Sequence, residues 1–102
     1  MHSLHLATNF SEPEWITRNN QYDLQEMYDF ISCRTIEIIR LHGLVIDTPD
    51  GGHIESPLMV LDEEGKLTGK EINPIATSLM RACGINDFAV GNVIVCDGGL
   101  IN

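Results

Sequence analysis

The stretch from residue 58 to residue 84 constrains the fold of this chain more than any other feature of its sequence. It begins with the uninterrupted apolar run Leu-Met-Val-Leu at 58–61, which is typical of a buried β-strand. The following Asp-Glu-Glu-Gly-Lys predicts a tight turn in which Gly65 supplies a positive backbone dihedral. Leu67 and Thr68 then predict a brief return strand. The sequence therefore predicts a buried strand, a tight turn and a short return strand in close succession.

A helix with well-defined ends follows this turn. Asn73 is a favourable N-cap residue, and Pro74 suits the first helical turn because an amide there has no partner within the helix. Gly84 suits the C-terminal end, where a left-handed residue stops the helix. Apolar side chains at helical spacing predict its buried face, which consists of Ile75, Ala76, Leu79, Met80 and Cys83.

The first third of the chain predicts a strand, a loop and another helix. Residues 3–8 alternate between apolar and polar side chains, as a short strand does. Residues 9–21 are polar and predict a long loop or a single helical turn, from which Trp15 folds back onto the core or stacks on a ligand. Asp23 and Glu26 match a capping box at the start of a helix that ends near residue 32.

Two further strands complete the pattern. Residues 35–41 are rich in β-branched side chains and predict a strand. Glu37 is an unusual carboxylate beside an apolar face of this strand, and a salt bridge to Arg34 or Arg40 is the structural alternative to a binding role. Residues 88–96 predict the last strand, which a Gly-Asn pair interrupts as a bulge or a close backbone approach.

These elements predict one α+β domain over residues 1–102. A single sheet of about four to six strands would carry two helices packed on one face. The order β-α-β-β-α-β, with a hairpin loop before the third strand, is that of the ferredoxin-like plan. Because such a sheet leaves strand edges open, we expect pairing with a second copy as a homodimer.

Composition narrows the classes of function. Fifteen acidic against six basic side chains give a formal net charge of −9. This acidic balance disfavours nucleic acid, whose phosphates require clustered Lys and Arg, and at most favours a basic partner. No apolar run approaches the roughly 20 residues that span a bilayer, and the N-terminus lacks a signal-peptide pattern. We therefore expect a cytoplasmic protein without membrane contact.

No motif of the chain defines a catalytic or metal site. Cys33, Cys83 and Cys96 are widely spaced and predict buried free thiols. His42 and His53 flank the predicted hairpin, but a metal would need a third ligand there. The P-loop, dinucleotide and Gly-x-Ser-x-Gly fingerprints are missing from the sequence. We expect no catalytic residue, no metal and no cofactor.

Several short segments between residues 23 and 97 carry a family resemblance through their order and spacing. They are Ile36-Glu37-Ile38-Ile39, Asp62-Glu63-Glu64-Gly65-Lys66-Leu67 with Gly69, Asn73-x-x-Ala76-Thr77, and Asp87-x-x-x-Gly91-Asn92 with Val93 to Val95. Through them the chain resembles a small family of uncharacterised domains, domain of unknown function 3846, met in bacteriophages, plasmids and integrated mobile elements. The resemblance implies a small cytoplasmic accessory protein, and it supplies no activity or catalytic residue.

The predicted function is that of a non-catalytic module that binds a protein or a small-molecule ligand, with interference in host defence as one version. The alternative is a small enzyme or nucleotide-binding domain, in which the helix N-terminus at Asn73 attracts an anion with Lys66 and Lys70 nearby. The turn at 62–66 and a protruding hairpin loop at 43–56 are the expected contact surfaces. The candidate binding residues are Glu37, Asp62, Glu63, Lys66, Asn73 and Asn92.

Overall fold

The computed structural model describes residues 1–8 and 12–101. Neither of the two α-helices in these residues is long and apolar enough to cross a membrane. A short 3₁₀ turn at Gly98–Leu100 follows the last strand. The other elements, in chain order, are β1 (His2–Leu6), β2 (Glu14–Thr17), α1 (Leu24–Ile31), β3 (Ile36–Arg40), β4 (Val45–Asp47), β5 (His53–Glu55), β6 (Leu58–Asp62), α2 (Pro74–Ala82) and β7 (Val93–Cys96).

Five strands form one antiparallel sheet in the order β2-β1-β7-β6-β3, and β4 pairs with β5 in a separate hairpin. In the middle of the sheet, Val60 of β6 lies opposite Ile94 of β7. Every residue of these two strands is buried. The structure thus confirms an α+β fold, and its main sheet has a strand number within the predicted range.

The two helices pack on opposite faces of the main sheet. Met59 and Val95 belong to the face that packs against Met80 of α2. Val60 and Ile94 belong to the other face, which packs against the buried side of α1. The prediction of two helices on one face is therefore wrong, and the ferredoxin-like arrangement is not confirmed. Because successive residues of a strand point to opposite faces, the apolar runs in β6 and β7 require a cover on both.

Strand β2 lies within a segment that the sequence predicts as a loop or helical turn. Its residues pair with β1 in antiparallel register, with Trp15 opposite Leu4 and Ile16 opposite Ser3. Trp15 is partly buried against the core on the α2 face, and its ring meets the His2 ring edge-on with centroids 6.3 Å apart. Core packing is thus the role that the structure assigns to this tryptophan.

The predicted hairpin is present as β4 and β5, but it does not protrude. Ile54 is only 2% exposed, and Leu44 and Ile46 pack against the core on the α2 face. The turn of the hairpin reaches back to β1, where Asp50 lies 3.2 Å from the Nε2 atom of His2. The hairpin therefore covers part of the sheet face that α2 alone leaves open.

The predicted capping residues fix the ends of α1. The Asp23 carboxylate accepts a hydrogen bond of 2.8 Å from the Glu26 amide, and Glu26 accepts one of 3.2 Å from the Asp23 amide. Ser32 ends the helix in the left-handed region, with φ of 59°. The capping box and the helix end predicted from the sequence are both confirmed.

The turn after β6 differs from its prediction. Gly65 has no positive φ; instead a Cβ atom at this position would lie 2.8 Å from Cγ2 of Val90. Gly69, with φ of 75°, is the residue in the left-handed region. Leu67 and Thr68 lie in turns rather than in a return strand. Gly65 is thus required for close packing against the segment that leads into β7.

Candidate functional site

Four of the six predicted site residues line one groove beside β3. The groove encloses about 200 Å³ on the α2 face of the sheet. It forms because β3 and β6 pair with Glu37 opposite Leu61, so that the end of β6 and its turn lie next to the Glu37 side chain. We call it the edge groove; its lining consists of Glu37, Ile39, Leu61, Asp62, Glu63, Lys66, Met80, Asp87, Phe88 and Val90.

Two carboxylates of the edge groove lack an ion pair within residues 1–8 and 12–101. No basic nitrogen lies within salt-bridge distance of Glu37 or Glu63 in this part of the chain. The Arg40 guanidinium donates instead to the Ser56 carbonyl at 2.8 Å, and Arg34 is 4.0 Å from Glu64. The proposed salt bridge from Glu37 to Arg34 or Arg40 is therefore not formed.

Lys66, the basic residue in the lining of the edge groove, already forms an ion pair. The Lys66 ammonium donates to Asp87 at 2.5 Å and lies 4.2 Å from the centre of the Phe88 ring. Hydrogen bonds from Lys66 and from the Phe88 amide hold the pKa of the Asp87 carboxyl below its usual value. Lys66 therefore neutralises Asp87 and leaves the charges of Glu37 and Glu63 uncompensated.

Asp62 is a structural residue at the rim of the edge groove. It is 8% exposed; its carboxylate forms an ion pair with the Lys70 ammonium at 2.8 Å and accepts a hydrogen bond from the Glu64 amide at 2.9 Å. Lys70 also donates to the carbonyls of Ile31 and Ser32, at 2.9 and 2.7 Å. One lysine thus joins the turn after β6 to the C-terminal end of α1, where a positive charge is favourable.

Asn73 lies away from the edge groove and serves the fold. Its side chain is buried, and its Oδ1 atom accepts from the Ala76 amide at 3.1 Å as an N-cap. Its Nδ2 atom donates to the carbonyls of Leu6 and Gly91, at 3.0 and 2.9 Å. All of its hydrogen-bonding atoms are therefore engaged within the protein.

Asn92 has a similar structural role at the start of β7. Its Nδ2 atom donates to the Phe30 carbonyl at 3.0 Å, and its Oδ1 atom accepts from the Thr8 amide at 3.2 Å. The side chain thus connects the end of β1 to α1. Neither asparagine shares the groove that holds the other four candidates.

The cleft at the N-terminus of α2 does not collect the cations that the nucleotide-binding alternative needs. It encloses about 420 Å³, and the described part of its lining contains the acids Glu12 and Glu71 and no Lys or Arg. Lys66 and Lys70 point to Asp87 and to α1 instead. A phosphate here would meet two carboxylates, which offset the favourable field of the helix N-terminus.

The outer edge of β3 carries free backbone hydrogen-bonding groups. The Glu63 amide donates to the Thr35 carbonyl at 3.3 Å, and the Leu41 amide donates to the Pro57 carbonyl at 2.9 Å. These bonds show that the odd-numbered residues turn their backbone groups towards β6. Ile36, Ile38 and Arg40 therefore turn theirs outward, where no backbone group of the described residues pairs with them.

Sequence reasoning missed the most exposed apolar residue of this edge. The Ile38 side chain is 44% exposed, although its β-branched neighbours predict a packed strand. The available signal was the charge pattern, because Glu37 and Arg40 within such a short strand are typical of a sheet edge. Asp87 and Phe88, which hold Lys66, lie too far away in the sequence to be associated with it.

A chain of hydrogen bonds joins Ser3, Tyr22 and His5. The Tyr22 hydroxyl donates to Oγ of Ser3 at 2.6 Å, and its oxygen lies 2.9 Å from Nε2 of His5. Residues of these types can form an activated nucleophile. Ser3, however, is fully buried, so no substrate reaches its hydroxyl. These hydrogen bonds instead connect β1 to the segment before α1.

We expect His5 to make the protein less stable as the pH falls from about 7.5 towards 5.5. Burial lowers the pKa of His5, with Glu14 opposing and Arg18 reinforcing the effect. The unfolded chain therefore binds more protons than the folded one in this range. Urea unfolding at several pH values checks the expectation, and His5→Gln should remove this dependence between pH 7.5 and 5.5. A dependence that survives in this variant would contradict the assignment.

Two of the three cysteines are poor sources of a reactive thiolate. Burial raises the pKa of the Cys96 thiol to about 12. Burial, with a contribution from the charge of Asp62, also raises the pKa of Cys33. In residues 1–8 and 12–101, no three side chains of the His, Cys, Asp and Glu types cluster as metal ligands.

Comparisons with protein-family models, with curated proteins and with solved structures give no match for this chain.

Proposed function

We propose that this protein is a non-catalytic interaction module that binds another polypeptide as an added strand along β3. The observation that carries the proposal is the open outer edge of β3, where Ile36, Ile38 and Arg40 direct backbone groups into solvent. An extended peptide can pair with such groups, and its side chains then add specificity. The exposed Ile38 side chain offers an apolar contact at the middle of this edge.

The charge of the protein favours a different polypeptide over a second copy. If two β3 edges paired antiparallel about Ile38, the two Glu37 side chains would be diagonal neighbours on the same face, about 7–8 Å apart. Like charges within about 8–10 Å of one another repel at physiological ionic strength. The net charge of −9 adds to this repulsion. A basic or neutral partner avoids it, and a homodimer is one outcome that the experiments below can detect.

An accessory role in a phage or mobile genetic element is part of this proposal, and interference with a host defence system is one form of it. The resemblance of residues 23–97 to domain of unknown function 3846 supports this context. Host interference by a small acidic module requires only that it occupies a surface of the target protein. The proposal is therefore compatible with a chain that binds by its edge and performs no chemistry.

Ile38→Pro is expected to weaken binding at this edge by at least tenfold. Proline removes the outward amide of residue 38, while an edge strand tolerates it where the amide faces solvent. Peptides selected from a random ten-residue display library on the wild-type protein serve as probes. Their dissociation constants for the variant are compared by isothermal titration, and thermal unfolding confirms that the variant folds.

Thr17→Pro provides the matched control at the other edge of the sheet. The Arg18 amide bonds to the Met1 carbonyl at 2.9 Å, so the amide of Thr17 faces outward on β2. This variant should bind the selected peptides as the wild type does. Hydrogen exchange should show protection of amides 36, 38 and 40 on binding. Protection that maps elsewhere, or equal effects of the two proline variants, would overturn the proposal.

A further inference from the structure

We infer that the strand taken up by β3 carries a lysine or arginine whose side chain occupies the edge groove. This inference rests on the proposed function, and it specifies the chemistry of the partner. The edge groove opens directly at β3, because Glu37 and Ile39 belong both to the strand and to the groove lining. A strand added at this edge would therefore place every second side chain over the groove.

The lining of the edge groove matches a long cationic side chain. Its apolar part includes Ile39, Met80 and Val90, and the carboxylates of Glu37 and Glu63 remain without an ion pair in the described residues. Lysine and arginine bury an aliphatic stem against apolar surface and keep the charged end among polar groups. A partner cation thus gains apolar contact and two uncompensated carboxylates at once.

Strand geometry fixes which partner residues reach the groove. Residues opposite each other in adjacent strands point to the same face, with Cβ atoms about 4.5–5.5 Å apart. Partner residues opposite Glu37 and Ile39 therefore face the groove on the α2 side. Those opposite Ile36 and Ile38 face the α1 side, where apolar contact is available. The partner segment is expected to alternate between basic and apolar side chains.

Arg40 of β3 further restricts which partner side chains can face the α1 side. Arg40 points to the α1 side, where its guanidinium approaches Gly98 and donates to the Ser56 carbonyl. A partner lysine on that side would meet a like charge, which is unfavourable. A slip by one residue moves every partner side chain to the other face. Charge at the two faces therefore selects which face the basic side chains of an alternating partner strand occupy.

The test uses three synthetic peptides with blocked ends. The first, acetyl-Thr-Val-Lys-Val-Lys-Val-Thr-amide, can place its central valine opposite Ile38 and its two lysines opposite Glu37 and Ile39, over the edge groove. The second replaces both lysines with glutamate, and the third groups the same residues as Val-Val-Val-Lys-Lys. Isothermal titration in 50 mM NaCl should give at least tenfold tighter binding of the first peptide than of either other peptide. Raising NaCl to 500 mM should weaken it, because the charged contact is screened.

A charge reversal in the groove locates the contact. Glu37→Lys should remove the preference for the lysine peptide over the glutamate peptide. Glu12→Lys changes the net charge by the same amount at the α2 N-terminal cleft, outside the edge groove, and should retain the preference. Equal losses in both variants would indicate a general charge effect and would overturn the inference.

The outcomes separate this inference from the proposed function. If lysine and glutamate peptides bind equally and Ile38→Pro weakens both, strand addition stands and the basic partner is refuted. If selected peptides bind at β3 while the lysine peptide does not, the basic partner is likewise refuted. If the lysine peptide binds with its preference intact in Ile38→Pro, strand addition itself fails.

Discussion

Replacing Lys70 with methionine is expected to lower the free energy of unfolding by about 3 kcal/mol. The substitution keeps most of the aliphatic stem but removes three contacts of the ammonium, to Asp62, Ile31 and Ser32. Asp62 would remain a largely buried carboxylate with only the Glu64 amide as a partner. An unpaired charge in such a position is costly, because burial deprives it of water.

Two further variants make the Lys70 prediction specific. Lys66→Met removes a lysine from the ion pair with Asp87, in which both side chains are nearly half exposed, and should cost no more than about 1 kcal/mol. The double variant Asp62→Asn with Lys70→Met removes the orphaned charge and should be more stable than Lys70→Met alone. Urea unfolding of the four proteins measures these differences. If Lys66→Met and Lys70→Met lowered the free energy of unfolding equally, the buried contacts of Lys70 would add nothing to stability.

Local features of the sequence predict local structure well in this protein. The capping box at Asp23 and the N-cap at Asn73 involve residues three positions apart, so the chain itself brings the partners together. The apolar run of β6 also identifies its strand directly. Gly65 is the exception, because its requirement comes from Val90, which lies far along the chain.

The arrangement of elements could not be derived in the same way. Which face a helix covers depends on long-range packing, and the apolar run of β6 serves both faces equally. Strand β2 was missed because its four residues follow a polar segment, and pairing with β1 provides the order that its composition does not predict. The sheet order likewise depends on contacts such as β1 with β7, which sequence periodicity does not encode.

The candidate site also combines residues that are close in the sequence with residues that only the fold brings together. Glu63 and Lys66 lie in one turn, and the register between β3 and β6 brings Glu37 to them. The sequence predicts Asn73 as a binding residue because it begins a helix whose N-terminus favours anions, and Asn92 because the Gly-Asn pair suggests a close backbone approach. Asn73 and Asn92 instead satisfy backbone groups inside the fold, since buried carbonyls and amides require partners wherever strands end.

Asn73→Ala is expected to destabilise the protein by about 4 kcal/mol, a large part of the roughly 5–15 kcal/mol that stabilises a domain. Loss of the N-cap bond to the Ala76 amide accounts for about 1 kcal/mol. The buried carbonyls of Leu6 and Gly91 each lose a donor, at about 1–3 kcal/mol apiece. One side chain thus joins β1, the entry to β7 and α2.

Two comparisons separate these contributions in urea unfolding experiments. Asn73→Ser keeps a side-chain oxygen that can cap α2 but is too short to reach both carbonyls, so its cost should lie between those of the wild type and Asn73→Ala. Asn86→Ala changes the same residue type at an exposed position and should alter stability by no more than about 0.5 kcal/mol. If serine restores wild-type stability, the cap alone matters, and the bonds to Leu6 and Gly91 do not hold the sheet to the helix.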